Sequence, residues 1–464
     1  MLVKDEILLD IGKIADATKL RAYVVGGYVR DMILDKPTVD IDVMVIGDGV
    51  EFAGKVAAEL NDELSAVYKK FGTALLEHNE YKIEFASARK ESYNRDSRKP
   101  DVEFSGLEDD LARRDFTINA LAVSLNSNTL DQLTDIFGGV DDIENKIIRT
   151  PLAPEKTFDD DPLRIMRAIR FASVLDFSIE TGTYDAIVKM KDRLKEDSVV
   201  SQERITDEFL KILMSPKPSI GLDLLFKTGV MEIIFPEMSN LAGVDQRKDY
   251  HHKDVFYHTL QVVDNISQKT DNVWLRFAAL VHDIAKPPTK KFVEGTGWTF
   301  HGHEELGARM MKKIFKKLRL PMSKLPYVEK LVRMHLRPIP LAKDEVTDSA
   351  IRRLAADAGE ELEDLLTLCR ADITSKDTSK ISRFMNNYDI VEQKIRDVQE
   401  KDQLRNFQSP VRGEEIMEIC NLEPSRKVGV IKKRIEEAIL DGEIPNEYEA
   451  AKEYLYKIKD EILK

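Results

Sequence analysis

The stretch "VDIDV", Val39 to Val43, sets two aspartates one residue apart among β-branched apolar neighbours. Strand side chains alternate between faces, so Asp40 and Asp42 point to one side while Val39, Ile41 and Val43 point to the other. Two carboxylates that close repel unless a cation neutralises them. Divalent ions held there suit phosphoryl transfer, in which paired metals about 3.5–4 Å apart hold an attacking and a leaving oxygen. A little upstream, "VVGGYVRD" ends a strand on Gly26 and Gly27 and opens a helix with Arg30 in its first turn. Glycine lets backbone N–H groups approach a phosphate, and an arginine fork can reach its oxygens.

A second set of chemistry-bearing residues lies further on. Seven of the eight histidines fall between His251 and His335. "VFYHTLQVVDN", "ALVHDIAKP", "HGHEELGARM", "VRMHLRP" and "CRADITSKD" supply His258, His282, Asp283, His303, His335 and Asp372. Nitrogen and carboxylate ligands spread over several helices suit a centre of borderline divalent metals such as Mn, Ni, Fe, Co or Zn. His282 and Asp283 sit in an apolar helical pattern that Lys286-Pro287-Pro288 is expected to end. Such a helix buries the pair only if something neutralises it. His251, His252 and His301 fit the pattern less well and read as outer or phosphate contacts.

The elements that must carry these residues divide the chain. Up to about Thr150, "AYVVGG", "VDIDVMVI", "KIEFAS", "NALAVSL" and "LTDIFGG" read as strands or strand ends. "VEFAGKVAAEL" between them reads as an amphipathic helix. From Thr157 onward strand signals nearly vanish. The pattern predicts an α+β head over residues 1–150 and a helical neck over 151–242. A helical module over 243–380 and a charged helical tail over 381–464 follow. The net charge of −13 excludes indiscriminate coating of nucleic acid, and the basic run Met311–Lys324 reads as a solvated helix face. Cys369 and Cys420 match neither a disulfide scaffold nor a zinc spacing. With no signal-peptide pattern at its start and no run of 18 apolar residues, the chain reads as a soluble cytoplasmic protein with no membrane partner.

Taken in order, "GGYVRD", "DID", "RRDFTINALAV" (Arg113 to Val123), "DIFGGVDDIENKIIRT" (Asp135 to Thr150) and "DDPLRIMRAIRFA" (Asp160 to Ala172) resemble the successive motifs of class II tRNA nucleotidyltransferases. These are the CCA-adding enzymes and bacterial poly(A) polymerases of the polymerase-β-like superfamily. The histidine and aspartate order resembles that of HD-superfamily phosphohydrolases. Together the resemblances imply a polymerase-β-like head with a mixed or antiparallel sheet, then an all-α body that includes an HD bundle. They imply Mg2+ on Asp40 and Asp42, the triphosphate on Gly26, Gly27 and Arg30, Arg114 beside it, and Asp115 facing the ribose. Glu84 in "KIEFAS" is left open as a third carboxylate.

The helix opening at "DDPLRIMRAIRFA" is expected to place Asp161 at its N-cap and Pro162 in its first turn. Ile165, Ala168, Ile169 and Ala172 form an apolar stripe, with Arg164, Arg167 and Arg170 on another side. The resemblance makes Asp161 and Arg164 a protein template. A carboxylate accepts from an exocyclic amine while a guanidinium donates to the neighbouring ring nitrogen, which suits cytosine and adenine and rejects uracil and guanine. Arg167 would reach the triphosphate or sugar. Asp160 stands where the motif commonly carries glutamate. The implied activity is template-independent addition of C and A to the tRNA 3′ end from CTP and ATP, with a metal-dependent phosphohydrolase alongside. Alternatives are a poly(A) polymerase, a CC- or A-adding enzyme, or an HD hydrolase whose head only senses nucleotide or RNA. Ala88 to Leu111 is a long connection that could help a switch from C to A. Arg426, Lys427, Lys432, Lys433 and Arg434 in the tail would dock an RNA backbone.

Overall fold

Alternating apolar residues in the first 135 positions build β-structure. Its strands are β1 (Arg21–Val25), β2 (Asp40–Ile46), β3 (Leu64–Tyr68), β4 (Thr73–His78), β5 (Tyr81–Ser87), β6 (Arg89–Ser92), β7 (Asp101–Phe104), β8 (Leu121–Ser124) and β9 (Leu133–Asp135). The structure, a computed structural model, describes residues 3–69, 72–92, 101–195, 199–244, 254–295, 297–342, 347–374, 377–406, 409–440 and 443–463. Seven strands form one sheet in the order β3-β4-β5-β2-β1-β8-β9. Within it β2 and β5 run parallel and the other neighbours antiparallel, so the sheet is mixed. β6 and β7 pair separately, inside the connection from Ala88 to Leu111, of which residues 93–100 lie outside the described ones.

The helix Gly49–Leu60 shows why this layer holds. Asp48 caps it by accepting from the N–H groups of Val50 and Glu51 at 2.9 and 3.0 Å, and Asn61 closes it in the left-handed conformation. Its Phe52, Ala53 and Val56 are fully buried, and Phe52 meets Phe85 of β5 edge-on at 5.8 Å. At roughly 25 cal/mol per Å² of apolar surface, a buried phenylalanine of this kind contributes about 2–3 kcal/mol.

The described residues group into two units. The first, Met1–Arg337 with Glu360–Ser382, continues from the sheet into helices. Helix Leu163–Leu175 buries Ile165, Ala168, Ile169 and Ala172 against the helices Gln202–Leu213 and Pro218–Lys227. Helices Val255–Ser267, Val273–Val281, His303–Lys317, Leu325–Met334 and Leu362–Ala371 then form a mutually packed bundle. The second unit, Pro338–Gly359 with Arg383–Lys464, includes helices Gly413–Cys420, Arg426–Leu440 and Tyr448–Leu463 around Ile416, Ile431, Ile435 and Leu455. No helix among the described residues is long and apolar enough to cross a membrane.

Several local expectations are corrected. β3 and β4 are absent from the reading of the sequence, because β3 is an edge strand that exposes Val67 and Tyr68 and so lacks a buried alternating face. Strands also recur beyond Thr157, as Ser178–Ile179, which pairs in parallel with Ile147–Ile148, and as a small hairpin of Lys291–Val293 with Gly297–Thr299. Pro162 precedes its helix instead of starting it, and Asp161 stands one residue further out. Its carboxylate still accepts from the Leu163 N–H at 3.1 Å, so the capping chemistry survives the shift. The apolar helix before the Lys286-Pro287-Pro288 segment ends at Val281. His282 caps it, Asp283 lies in the turn beyond, and the prolines belong to a separate short helix, Lys286–Thr289.

Candidate active sites

β2 sits between β1 and β5, and that register decides what surrounds its aspartates. Asp42 lies opposite Val25, whose next residue is Gly26, and directly beside Glu84 of β5. Asp40 stands beside Lys82. Glu84, left open by the sequence, is therefore the carboxylate next to Asp42. Burial, with Glu84 and Asp40 adding to it, pushes the Asp42 carboxyl up to about 6 against the pull of Arg114 and Arg30. Among the described residues these three carboxylates do not close into a set as tight as the histidine groups described below.

Gly26 holds φ at 74°. A Cβ there would stand 2.7 Å from Nη1 of Arg114 and 3.1 Å from Oδ2 of Asp42. The bare backbone thus lies between the aspartate strand and an arginine, a place no other residue could occupy without displacing one of them. Gly27 begins the helix Gly27–Ile33. Arg30 is buried, with Nε and Nη2 donating to Asp31 at 2.9 and 2.8 Å and Nη1 donating to Asn119 at 2.8 Å.

Beyond Arg114 opens a cavity of about 280 Å³. Five arginines (Arg113, Arg114, Arg164, Arg167 and Arg204) and two aspartates (Asp115 and Asp161) line it together with Leu163. Five guanidinium groups against two carboxylates make its lining net cationic. Asp110, fully buried, holds Arg113 at 2.6 Å and Arg114 at 3.1 Å. Asp115 accepts from Nε and Nη2 of Arg167 at 2.7 and 2.6 Å and from Asn119 at 3.0 Å. Burial favours its neutral form, but Arg167, Asn119 and Arg164 override that and hold its carboxyl down at about 2. Arg164 donates to the carbonyls of Arg113 at 2.6 Å and Thr157 at 3.4 Å. Asp161 receives Arg204 at 3.2 Å. Of the expected residues, Arg114, Asp115, Asp161, Arg164 and Arg167 line this cavity; Gly26 and Asp42 adjoin Arg114, Arg30 reaches Asn119 beside Asp115, Gly27 lies against Arg30, and Asp40 is exposed. Arg204 was not foreseen, because it comes from a different helix, Gln202–Leu213, and carries no local signal.

The bundle assembles the second site. His258, His282 and Asp372 form one group whose ligand atoms lie within 4.8 Å of one another, and Asp283, His303 and His335 form another. Asp283 stands between them, with Oδ2 3.2 Å from Nε2 of His282 and Oδ1 3.3 Å from Nε2 of His303. Asp372 lies 2.9 Å from Nε2 of His258. Each ring is fixed by its other nitrogen: Nδ1 meets the Thr374 hydroxyl in His258, and the carbonyls of Ala279, Phe300 and Val332 in His282, His303 and His335. That leaves every Nε2 turned inward. Nε2 of His282 is buried and, although 3.2 Å from Asp283 and 3.4 Å from Asp372, makes no well-aligned hydrogen bond, a demand that a metal ion would satisfy. Burial opposes charge on His282, yet Asp283 and Asp372 push it up to about 10, while burial and then His282 press His335 down to about 4. The six residues fit a divalent metal centre. Lys286 adds a cation at 2.5 Å from Asp283, a partner that its spacing of three residues could have indicated. His301 is exposed, and His251 and His252 lie outside the described residues. In the second unit, Lys432 and Lys433 each stand one turn before a glutamate, at 3.9 and 3.6 Å.

Comparison with known proteins follows this division. Residues 22–149 match the family described as the poly(A) polymerase head domain, 176–241 the probable RNA- and SrmB-binding site of polymerase A, and 255–377 the HD domain. An A-adding tRNA nucleotidyltransferase of Deinococcus radiodurans is 32% identical, over 74% of this chain and 78% of the relative. A multifunctional CCA protein of Acidovorax ebreus is also 32% identical, over 68% of this chain and 72% of the relative. A tRNA nucleotidyltransferase solved with a primer tRNA and an incoming ATP analogue shares the fold, with a TM-score of 0.60 and 24% identity over 84% of this chain and 99% of that one. A polymerase-type head with its paired aspartates, joined to an HD bundle and matched over most of both chains, places this protein in the tRNA nucleotidyltransferase family.

Proposed function

We propose that this chain adds C and A nucleotides to the tRNA 3′ end from CTP and ATP without a nucleic-acid template, and that its HD bundle is a metal-dependent phosphohydrolase. The observation that carries the first half is the position of Arg114, which lines the cationic cavity and also acts on Asp42 across Gly26. Asp40 and Asp42 would hold Mg2+, with Glu84 beside them. When bound, Mg2+ neutralises triphosphate charge and favours the ionised form of an attacking 3′-hydroxyl. The open backbone at Gly26 admits a phosphate, and Arg30, Arg114 and Arg167 stabilise its charge. Asp115 faces the sugar. Asp161 accepts from the exocyclic amine of cytosine or adenine, and Arg164 donates to the adjacent ring nitrogen. Because backbone carbonyls already hold Arg164 and Arg204 holds Asp161, the pair is set before the base arrives. Uracil and guanine present a carbonyl to Asp161 and an N–H to Arg164, so both contacts become repulsive.

Addition of A alone is a second reading, favoured by the A-adding relative. The test offers tRNAs ending before the first C, after CC and after CCA, with labelled CTP or ATP. Addition that stops at CCA from the shortest substrate supports the proposal. Extension only of the CC end supports the second reading, and a ladder of A on any RNA marks a poly(A) polymerase.

In the bundle, His258, His282 and Asp372, with Asp283, His303 and His335, would hold Mn, Ni, Fe, Co or Zn. Such an ion supplies Lewis acidity toward a phosphate oxygen and toward water. Water adds at phosphorus, the P–O bond to the ribose breaks, and inorganic phosphate leaves a free hydroxyl. Removing a terminal phosphate would expose the hydroxyl that the head extends. Release of phosphate from phosphate-terminated RNA, and its loss in His282→Ala, tests this half. Equal turnover by both proteins would end it. The work is divided, in this proposal, among a head over 1–150, a neck over 151–242, the bundle over 243–380 and a tail over 381–464 that contacts RNA.

A further inference from the structure

The small hairpin of Lys291–Val293 and Gly297–Thr299 is tied to the bundle's metal-ligand cluster at both ends. Its first strand follows the short helix whose Lys286 reaches Asp283 at 2.5 Å. Its second strand leads to Phe300, whose carbonyl accepts from or orients Nδ1 of His303 at 2.8 Å. Phe292 pairs in register with Trp298. By the two-residue period of a strand, Lys290, Phe292, Trp298 and Phe300 share one face. The contacts agree: Phe292 and Trp298 meet edge-on at 5.3 Å, the Lys290 ammonium lies 4.5 Å over the Trp298 ring, and the Lys286 ammonium lies 5.7 Å from the Phe300 ring. Phe292 is 53% exposed and Trp298 39%.

A two-stranded hairpin has too little core to explain two large exposed aromatic rings. Aromatic rings interleaved with lysines instead form the surface on which bases of single-stranded nucleic acid stack while their phosphates meet cations. The distance suits one nucleotide. Trp298 is two residues from Phe300, about 7 Å at a strand's rise, and the Phe300 carbonyl meets the outer nitrogen, Nδ1, of the ligand His303. Resting on the phosphohydrolase reading above, we propose that this hairpin seats the terminal base of a phosphate-ended RNA strand and so presents its phosphate to the histidine–aspartate cluster.

The full-length protein is tested in two ways. The first compares kcat/KM for a short RNA ending in a 3′-phosphate with that for p-nitrophenyl phosphate, which has no base to stack. In Trp298→Ala and Phe292→Ala the preference for RNA should fall about tenfold or more, the worth of one stacked base, and Trp298→Phe should restore most of it. The second reads intrinsic fluorescence with adenosine 3′-monophosphate. The chain has two tryptophans, Trp274 and Trp298. Trp274 packs against Phe277 and Phe315, so quenching that persists in Trp274→Phe and vanishes in Trp298→Phe reports stacking on the hairpin. An unchanged preference for RNA together with absent quenching overturns the proposal and leaves the exposed rings to a protein partner. Loss of both activities in equal proportion also overturns it, since it marks a structural role. If the unmodified protein hydrolyses neither compound, the phosphohydrolase reading fails on its own, and the fluorescence result alone decides whether the hairpin binds a nucleotide.

Discussion

Replacing Arg167 by methionine should unseat the nucleotide groove through Asp115. Asp115 is 7% exposed and directs one oxygen to Arg167 at 2.7 and 2.6 Å and the other to Asn119 and the Phe116 N–H at 3.0 and 2.9 Å. Its carboxyl lies at about 2 in the folded chain against an ordinary value of 3.8. The folded pKa is depressed, so the interaction stabilises above about pH 4 and is lost as pH falls through 2. The difference of nearly two units corresponds to about 2.5 kcal/mol. Without Arg167 the burial penalty stands with less opposition, and a buried carboxylate robbed of its partner costs about 3–5 kcal/mol. We expect a loss of about 3 kcal/mol at pH 7 that shrinks toward pH 4, as the orphaned carboxylate takes up a proton. Amide exchange along helix Leu163–Leu175, which carries Arg167, isolates this opening from unfolding elsewhere in the chain. Exchange should quicken about 100-fold at pH 7, and Asp115→Asn in the same chain should recover most of the loss. If the single and double variants exchange alike, or if the ratio to the unmodified protein is the same at pH 4 and pH 7, the ion pair is not what holds the groove.

Three further outcomes follow from other contacts. Asp42→Asn should abolish nucleotide incorporation while RNA phosphate release continues. Because the folded pKa of Asp42 is raised to about 6, its charge costs stability above pH 6 and not below about pH 4, so thermal melting of the variant should exceed that of the unmodified protein at pH 7.5 and converge with it by pH 4. Gly26→Ala forces a side chain into a φ of 74° and into Arg114, and should cost about 1–3 kcal/mol in urea unfolding and at least tenfold in incorporation. Mn2+ or Ni2+ should raise the melting temperature of the unmodified protein and leave the double variant His282→Ala, Asp372→Ala unmoved, measured by scanning calorimetry.

Order along the chain carried much of this architecture into the sequence. The Asp40–Asp42 alternation announced a strand with an acidic face, and the crowd of histidines announced a buried polar centre before any packing was known. Register was not legible. Glu84 is beside Asp42 because β5 pairs in parallel with β2, and a parallel neighbour reached through three intervening elements leaves no mark at short range. Arg204 was missed for the same reason, being brought to Asp161 by helix packing and not by spacing. The small hairpin escaped notice because three-residue strands with exposed faces have no periodicity to detect. Helix ends slipped by a residue or two around Pro162 and His282, where a polar side chain serves a second purpose besides ending the helix.

That double use has a consequence for how the bundle tolerates change. His282 and His335 each follow the last residue of a helix, and each is steered by a carbonyl three positions earlier in its own chain; the ring of His303 depends on a main-chain oxygen in the same way. Main-chain acceptors persist through any substitution short of a change in backbone path. Neighbouring side chains can therefore drift widely without turning these three rings. Indels are another matter, since one extra residue in either helix swings its ring by about 100° around the axis. Across distant relatives, the spacing ahead of each histidine should be guarded more strictly than the identity of the residues that fill it.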